Sequence, residues 1–96
     1  MDKEVAEHVA EVMKAVAHPV RLRIIELLEK REKCVGDIVE AVGGKQAITS
    51  QHLNMMRDKG VLSSRRDGNK VFYRIENKNV IKLLACISDH CKVKRH

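Results

Sequence analysis

At 96 residues the chain is long enough for one small domain with a limited core, a size that commonly gains stability by pairing with a second copy. Hydrophobic residues make up 44%, which excludes a disordered chain, and no apolar run approaches the roughly 20 residues of a membrane span. The net charge of +6 favours a polyanionic partner, nucleic acid first.

The opening "MDKEVAEHVAEV" is acidic and amphipathic, unlike an export signal. With no such signal, three cysteines, an odd number, suggest reduced thiols in the cytoplasm. Helical spacing of Val5, Val9, Val12 and Val16 predicts a first helix over about residues 3–16. A second helix starts at Pro19, where a missing N–H costs nothing, with Leu22, Ile24, Ile25 and Leu28 as its apolar face. "CVGDIVEAVGG" is a short third helix with Val35, Ile38, Val39 and Val42 inward, ended by Gly43 and Gly44. A fourth covers "GKQAITSQHLNMMRDKG" and closes at Gly60. "VLSSRRDGNKVFYRI" then reads as two strands joined at Asp67-Gly68, a hairpin signal. The last helix spans about 77–92, with Val80, Leu83, Leu84 and Ile87 as its stripe. The expected fold is mostly α with a β-hairpin wing: five helices, a two-stranded hairpin and a winged helix-turn-helix over residues 1–96.

The fourth helix carries the functional signal. At about 100° per residue, Ile48, His52, Leu53, Met55 and Met56 fall on one half, which is expected to pack on the third helix. Gln46, Ala47, Ser50, Gln51, Asn54 and Arg57 fall on the other. A plain solvated face would carry Lys and Glu. Gln, Ser, Asn and Arg instead pair with base edges and phosphates, and Ala47 is small enough to allow close approach or to touch a thymine methyl. Two short helices joined by a glycine turn make a helix-turn-helix, whose second helix enters the major groove of double-stranded DNA. The hairpin that follows is basic, with four cationic residues against one acid in "VLSSRRDGNKVFYR".

Enzyme readings find no support. There is no Ser-His-Asp arrangement and no paired-carboxylate cleft, and "GGKQ" is too short for a phosphate loop. A winged-helix protein-interaction module would show large exposed apolar residues on the recognition face of the fourth helix, where this sequence shows Gln, Ser and Asn.

"AVAHPVRLRIIELL" and "ITSQHLNMMRDKGVLSSRRDGNKVFYRI" resemble, without gaps, the second-helix opening, recognition helix and wing of the ArsR–SmtB family of small bacterial winged-helix repressors. The resemblance covers roughly residues 12–90. It implies a homodimer joined by the first and last helices, bound to an operator that should be an inverted repeat, and released by an effector. It implies that Gln46, Ala47, Ser50, Gln51 and Asn54 meet the major groove. Arg65, Arg66, Asn69 and Lys70 would sit at the wing and meet the minor groove or phosphate.

Three effector-site types of that family can be compared. A thiolate type uses Cys-x-Cys at the start of the third helix; here "KCVGDI" keeps Cys34 and has Gly36 at the second position. A zinc type uses Asp and His early in the last helix and two His near its end; here the positions read Asn77, Asn79, His90 and Val93. A third type has cysteines in or after the last helix, and "ACISDHCK" supplies Cys86 and Cys91 beside His90. Cys86 and His90, spaced i,i+4, share a helix face as paired metal ligands do. Cys91 is rotated about 140° from Cys86, so a third ligand is better supplied by the other chain. Cys34, near a helix start and beside Lys33, is a candidate thiolate. The expected effector is a soft, thiol-seeking metal or metalloid ion. The alternatives are an oxidant or reactive sulfur species acting on the same thiols, or no ligand, with the cysteines as packing residues. His8, His18 and His52 read as ordinary helix residues.

Overall fold

The computed structural model describes residues 1–89 and residue 91. Asp2 opens the first helix: its Oδ1 accepts the Val5 N–H at 2.8 Å, satisfying a donor that has no partner within the helix. This is α1, Lys3–Val16. α2, Pro19–Leu28, begins with Pro19 in its first turn and His18 as its cap, whose Nδ1 accepts the Val20 N–H at 3.1 Å. His18 is thus a cap and not a residue inside a helix. A two-residue strand β1, Lys33–Cys34, leads directly into α3, Val35–Val42. Gly43 ends α3 at φ +72°, a left-handed conformation that glycine adopts without steric cost. Next come α4, Gln46–Asp58, strands β2, Leu62–Asp67, and β3, Lys70–Ile75, and helix α5, Asn79–Asp89.

Among the described residues the helix count is as expected, but the sheet has three strands where two were predicted. The order is β1-β3-β2, all antiparallel, with Lys33 opposite Tyr73 and Cys34 opposite Phe72. A strand of two residues shows no alternation, so no pattern in the sequence marks it. β2 and β3 form the predicted hairpin, from Leu62 opposite Ile75 to Asp67 opposite Lys70. Gly68 turns it at φ +64°.

The core gathers Ile24, Ile25 and Leu28 of α2, Ile38 of α3, Leu53 and Met56 of α4, and Leu62, Tyr73 and Ile75 of the sheet. Two expectations for its lining fail. On α4 the buried line is Thr49, Leu53 and Met56, whereas Ile48 and Met55 are exposed. The i, i+4, i+7 line includes a threonine, which a reading by apolar residues alone passes over. Leu22 of α2 is also exposed, as are Val5 of α1 and Leu83 and Ile87 of α5. Their helices show more apolar surface than one chain covers. Among the described residues no helix is long and apolar enough to cross a membrane.

The rotation of α4 can be tested by unfolding. Leu53 is fully buried, and Leu53→Ala is expected to cost about 2–5 kcal/mol in urea denaturation. Ile48→Ala, at an exposed position, is expected to fall within about 0.5 kcal/mol of the unsubstituted protein. A large loss from Ile48→Ala would return that side chain to the core.

Candidate nucleic-acid interface

α4 sits on α3 through its Thr49, Leu53 and Met56 line, which turns the opposite side outward. Ala47, Gln51, Asn54 and Arg57 are all exposed there. Gln46, Ser50, Asn54 and Arg57 line an open groove of about 440 Å³ whose other wall is Asn69, Lys70, Val71 and Tyr73 of the hairpin. Recognition-helix and wing residues named from the sequence therefore share one concavity. Ala47, Gln51, Arg65 and Arg66 do not line it; Ala47 and Gln51 stand exposed on the outer side of the helix. Lys45, the residue before α4, makes no side-chain cap. The first backbone N–H groups of the helix thus keep their capacity for an anion.

One hydrogen bond fixes the groove's width. The Tyr73 hydroxyl donates to Asn54 Oδ1 at 2.8 Å, joining the second wing strand to the middle of α4. With its oxygen engaged by the wing, Asn54 presents its amide nitrogen as the donor for a base or phosphate. Tyr73 was not among the expected site residues. Its alternation with Val71 and Ile75 is the signal that turns it inward.

Strand alternation separates the two wing arginines. Arg66 lies opposite Val71, on the same face as Tyr73 and therefore toward α4. Arg65 lies opposite Phe72, on the other face, where its guanidinium stands 4.6 Å over the Phe72 ring. There it pairs with both carboxylate oxygens of Glu32 and lies 3.7 Å from Asp67. Hydrogen bonding to Arg65 holds the Glu32 carboxyl below its usual value, and Glu32 in turn raises that of Arg65. Arg66, Asn69 and Lys70 are exposed.

Behind the helix, Arg21 of α2 donates from Nε to His52 Nδ1 at 3.0 Å and from Nη1 to the Ala15 carbonyl at 3.0 Å. The His52 and His18 rings approach to 4.5 Å. His52 is thus a tether between α4 and α2. Burial, then the nearby His18 and Arg21, lowers its pKa from the ordinary 6.5.

The cysteines are separated. Cys34 is 8% exposed and borders the α4 groove, so its thiol is sequestered. Cys86 and Cys91 are exposed. Cys91 borders a different groove, of about 340 Å³ between α2 and α5. His90 lies outside the described residues. Among the described residues no three His, Cys, Asp or Glu side chains converge as a metal site would require.

Comparison with known proteins agrees with this geometry. Residues 18–64 match the family model for bacterial regulatory proteins of the arsR family. The uncharacterized HTH-type transcriptional regulator Rv0081 of Mycobacterium tuberculosis is 43% identical over 77 residues, 79% of this chain and 68% of that protein. The nodulation protein NolR of Rhizobium meliloti is 38% identical over 86 residues, covering 90% of this chain and 70% of its own. Among solved structures, the homodimeric winged helix-turn-helix DNA-binding domain of Mb0332 from Mycobacterium bovis superposes with a TM-score of 0.81 at 31% identity. It covers 100% of this chain and 94% of that one.

The His52 tether makes stability depend on pH. The folded state holds the ring neutral, with Nδ1 as an acceptor, and resists protonation. The unfolded chain takes up the proton near pH 6.5. The contribution is therefore complete above about pH 6.5 and is lost as pH falls from there through the lower, folded pKa. Urea titrations from pH 8 to pH 5 should show this decline, and His52→Gln, whose amide oxygen can still accept from Arg21, should flatten it. An unchanged pH profile in His52→Gln would refute the assignment.

Proposed function

Because the chain belongs to the ArsR family, whose members are DNA-binding transcriptional regulators and not enzymes, we propose that it is a homodimeric cytoplasmic repressor. It binds an inverted-repeat operator and is released by a thiol-directed effector. Residues 1–96 serve as one DNA-binding and dimerisation domain. The observation that carries the DNA-reading role is the groove in which Gln46, Ser50, Asn54 and Arg57 face Asn69 and Lys70 across a distance held by Tyr73 and Asn54. Gln46, Ala47, Ser50, Gln51 and Asn54 read or approach base edges. Arg57, Arg66, Asn69 and Lys70 hold phosphates or the minor groove, and Arg65 joins them only when a phosphate displaces Glu32.

Pairing is supported by the exposed Val5, Leu22, Leu83 and Ile87 on α1, α2 and α5, and by the homodimer of Mb0332. A two-fold dimer placing its α4 helices about 34 Å apart meets successive major grooves.

For the effector, exposed Cys86 and Cys91 support a soft metal or metalloid ion, with His90 and a residue of the second chain completing the ligand set. A second reading is oxidation or sulfur modification of the same exposed thiols, Cys86 and Cys91. Cys34, buried at 8% exposure, contributes to either only after a local rearrangement.

Gel shifts on the chain's own upstream promoter test the DNA-binding reading. Arg66→Ala and Lys70→Ala should weaken binding on every sequence alike and flatten the log–log salt dependence by about 0.9 for each phosphate that is no longer neutralised. Gln51→Ala should instead reduce discrimination between operator and altered operator by about 1–3 kcal/mol. Binding of all sequences by Gln51→Ala just as by the unsubstituted protein would remove α4 from its role.

Release should be tested with metals, arsenite and sulfur oxidants on Cys86→Ser, Cys91→Ser and the triple variant that adds Cys34→Ser. Loss of release in Cys86→Ser and Cys91→Ser supports sensing at α5. Release of the triple variant by every agent that releases the unsubstituted protein would end the thiol reading. Release that occurs without metal and is reversed by reductant would select the redox chemistry.

A further inference from the structure

Ile48 is the third residue of α4 and is 52% exposed. It lies roughly 80–140° around the helix from each of the buried Thr49, Leu53 and Met56. On the outward side it lies about 60° from Gln51. Residues i and i+3 are neighbours on a helix surface, so Ile48 and Gln51 present adjacent side chains, about 5–6 Å apart at Cβ. A β-branched residue at an exposed helix position adds little to helix stability. The core does not use this side chain, and the position lies in the leading turns of the helix that face DNA.

The major groove offers one apolar feature, the C5-methyl group of thymine. We propose that Ile48 packs on a thymine methyl of the operator, beside the base read by Gln51, and so makes Ile48 a determinant of operator sequence. The inference rests on the DNA-binding reading above and deepens it. Ile48 continues the exposed Ala47 and Gln51 surface without interruption. Met55 does not share the role. It is two turns further along α4, toward the end where Lys59 pairs with Glu11 of α1 at 3.0 Å, away from the leading turns.

Gln51 with two hydrogen bonds identifies adenine, and Ile48 against a methyl identifies thymine. Together they specify an A·T pair twice over, or two neighbouring pairs. Water cannot replace the methyl contact, so removal of the methyl alone should be measurable.

The test uses the 96-residue chain and a randomised double-stranded DNA library. Duplexes enriched by binding give a consensus. Each thymine in it is then replaced singly by deoxyuridine, which removes the methyl and keeps every hydrogen-bonding group. Fluorescence anisotropy should show the unsubstituted protein losing about three- to five-fold in affinity at one thymine per half-site, the worth of about one buried methyl. Ile48→Ala should bind the thymine and deoxyuridine duplexes equally at that position while keeping the Gln51-dependent preference. Sedimentation should give the same assembly for both proteins.

Equal binding of all deoxyuridine duplexes by the unsubstituted protein would overturn the proposal, as would the survival in Ile48→Ala of every methyl sensitivity that the unsubstituted protein shows. A consensus without thymine would do the same. Loss of dimer in Ile48→Ala would assign the side chain to a subunit contact instead. If no sequence is enriched, the DNA-binding reading fails and this inference fails with it. Enrichment with Gln51-dependent but methyl-independent binding sinks only the inference.

Discussion

The burial of Thr49, Leu53 and Met56 sets the rotation of α4, and everything the helix presents to a partner follows from it. A helix has one degree of freedom once its ends are placed, the angle about its own axis. Three side chains near zero exposure fix that angle, because turning the helix by one residue spacing would expose them and bury Gln or Asn without partners. Gly43 contributes by reversing the chain after α3, so that α4 can lie against it. The outward strip then runs through Ala47, Gln51 and Asn54, with Ile48 on one flank and Ser50 and Arg57 on the other.

The wing is held to this helix by a polar contact at the edge of an apolar one. Tyr73 is 3% exposed, so its ring belongs to the core while its hydroxyl reaches Asn54. One residue thereby couples the position of the hairpin to that of α4. The opposite face of the hairpin is stiffened differently. Arg65 lies over Phe72 and pairs with Glu32 just before β1, which ties the hairpin to the α2–β1 connection. An exposed ion pair adds little to stability. Its consequence is for binding: it occupies a cation that would otherwise be free for phosphate, so the wing's reach depends on Arg66 and Lys70.

A second set of contacts links α4 to the rest of the chain. Arg21 joins α2, the end of α1 and His52 of α4, and Lys59 joins the end of α4 to Glu11 of α1. α1 and α5 also carry exposed apolar side chains. Arg21 and Lys59 thus tie α4 to α1 and α2 by polar contacts outside the core. Cys86 on α5 and Cys91 just beyond it are exposed.

The helices, the hairpin turn at Asp67-Gly68 and the polar character of one side of α4 are legible in the residues alone. Each is a local property: a repeat of 3.6 or 2 residues, a glycine that permits positive φ, a run of residue types. Tertiary structure decided what local periodicity leaves open. It placed Thr49 inside and Ile48 outside, because packing against α2 and α3 selects a line that counts a threonine as core. It added Lys33–Cys34 to the sheet, since a two-residue strand exists only through its partner β3. It paired Arg65 with Glu32, gave His52 to Arg21 and Asn54 to Tyr73, and sequestered Cys34. These are contacts between residues far apart in the chain, and the physical reason they are not legible in the sequence is that each depends on a partner whose position only the fold supplies.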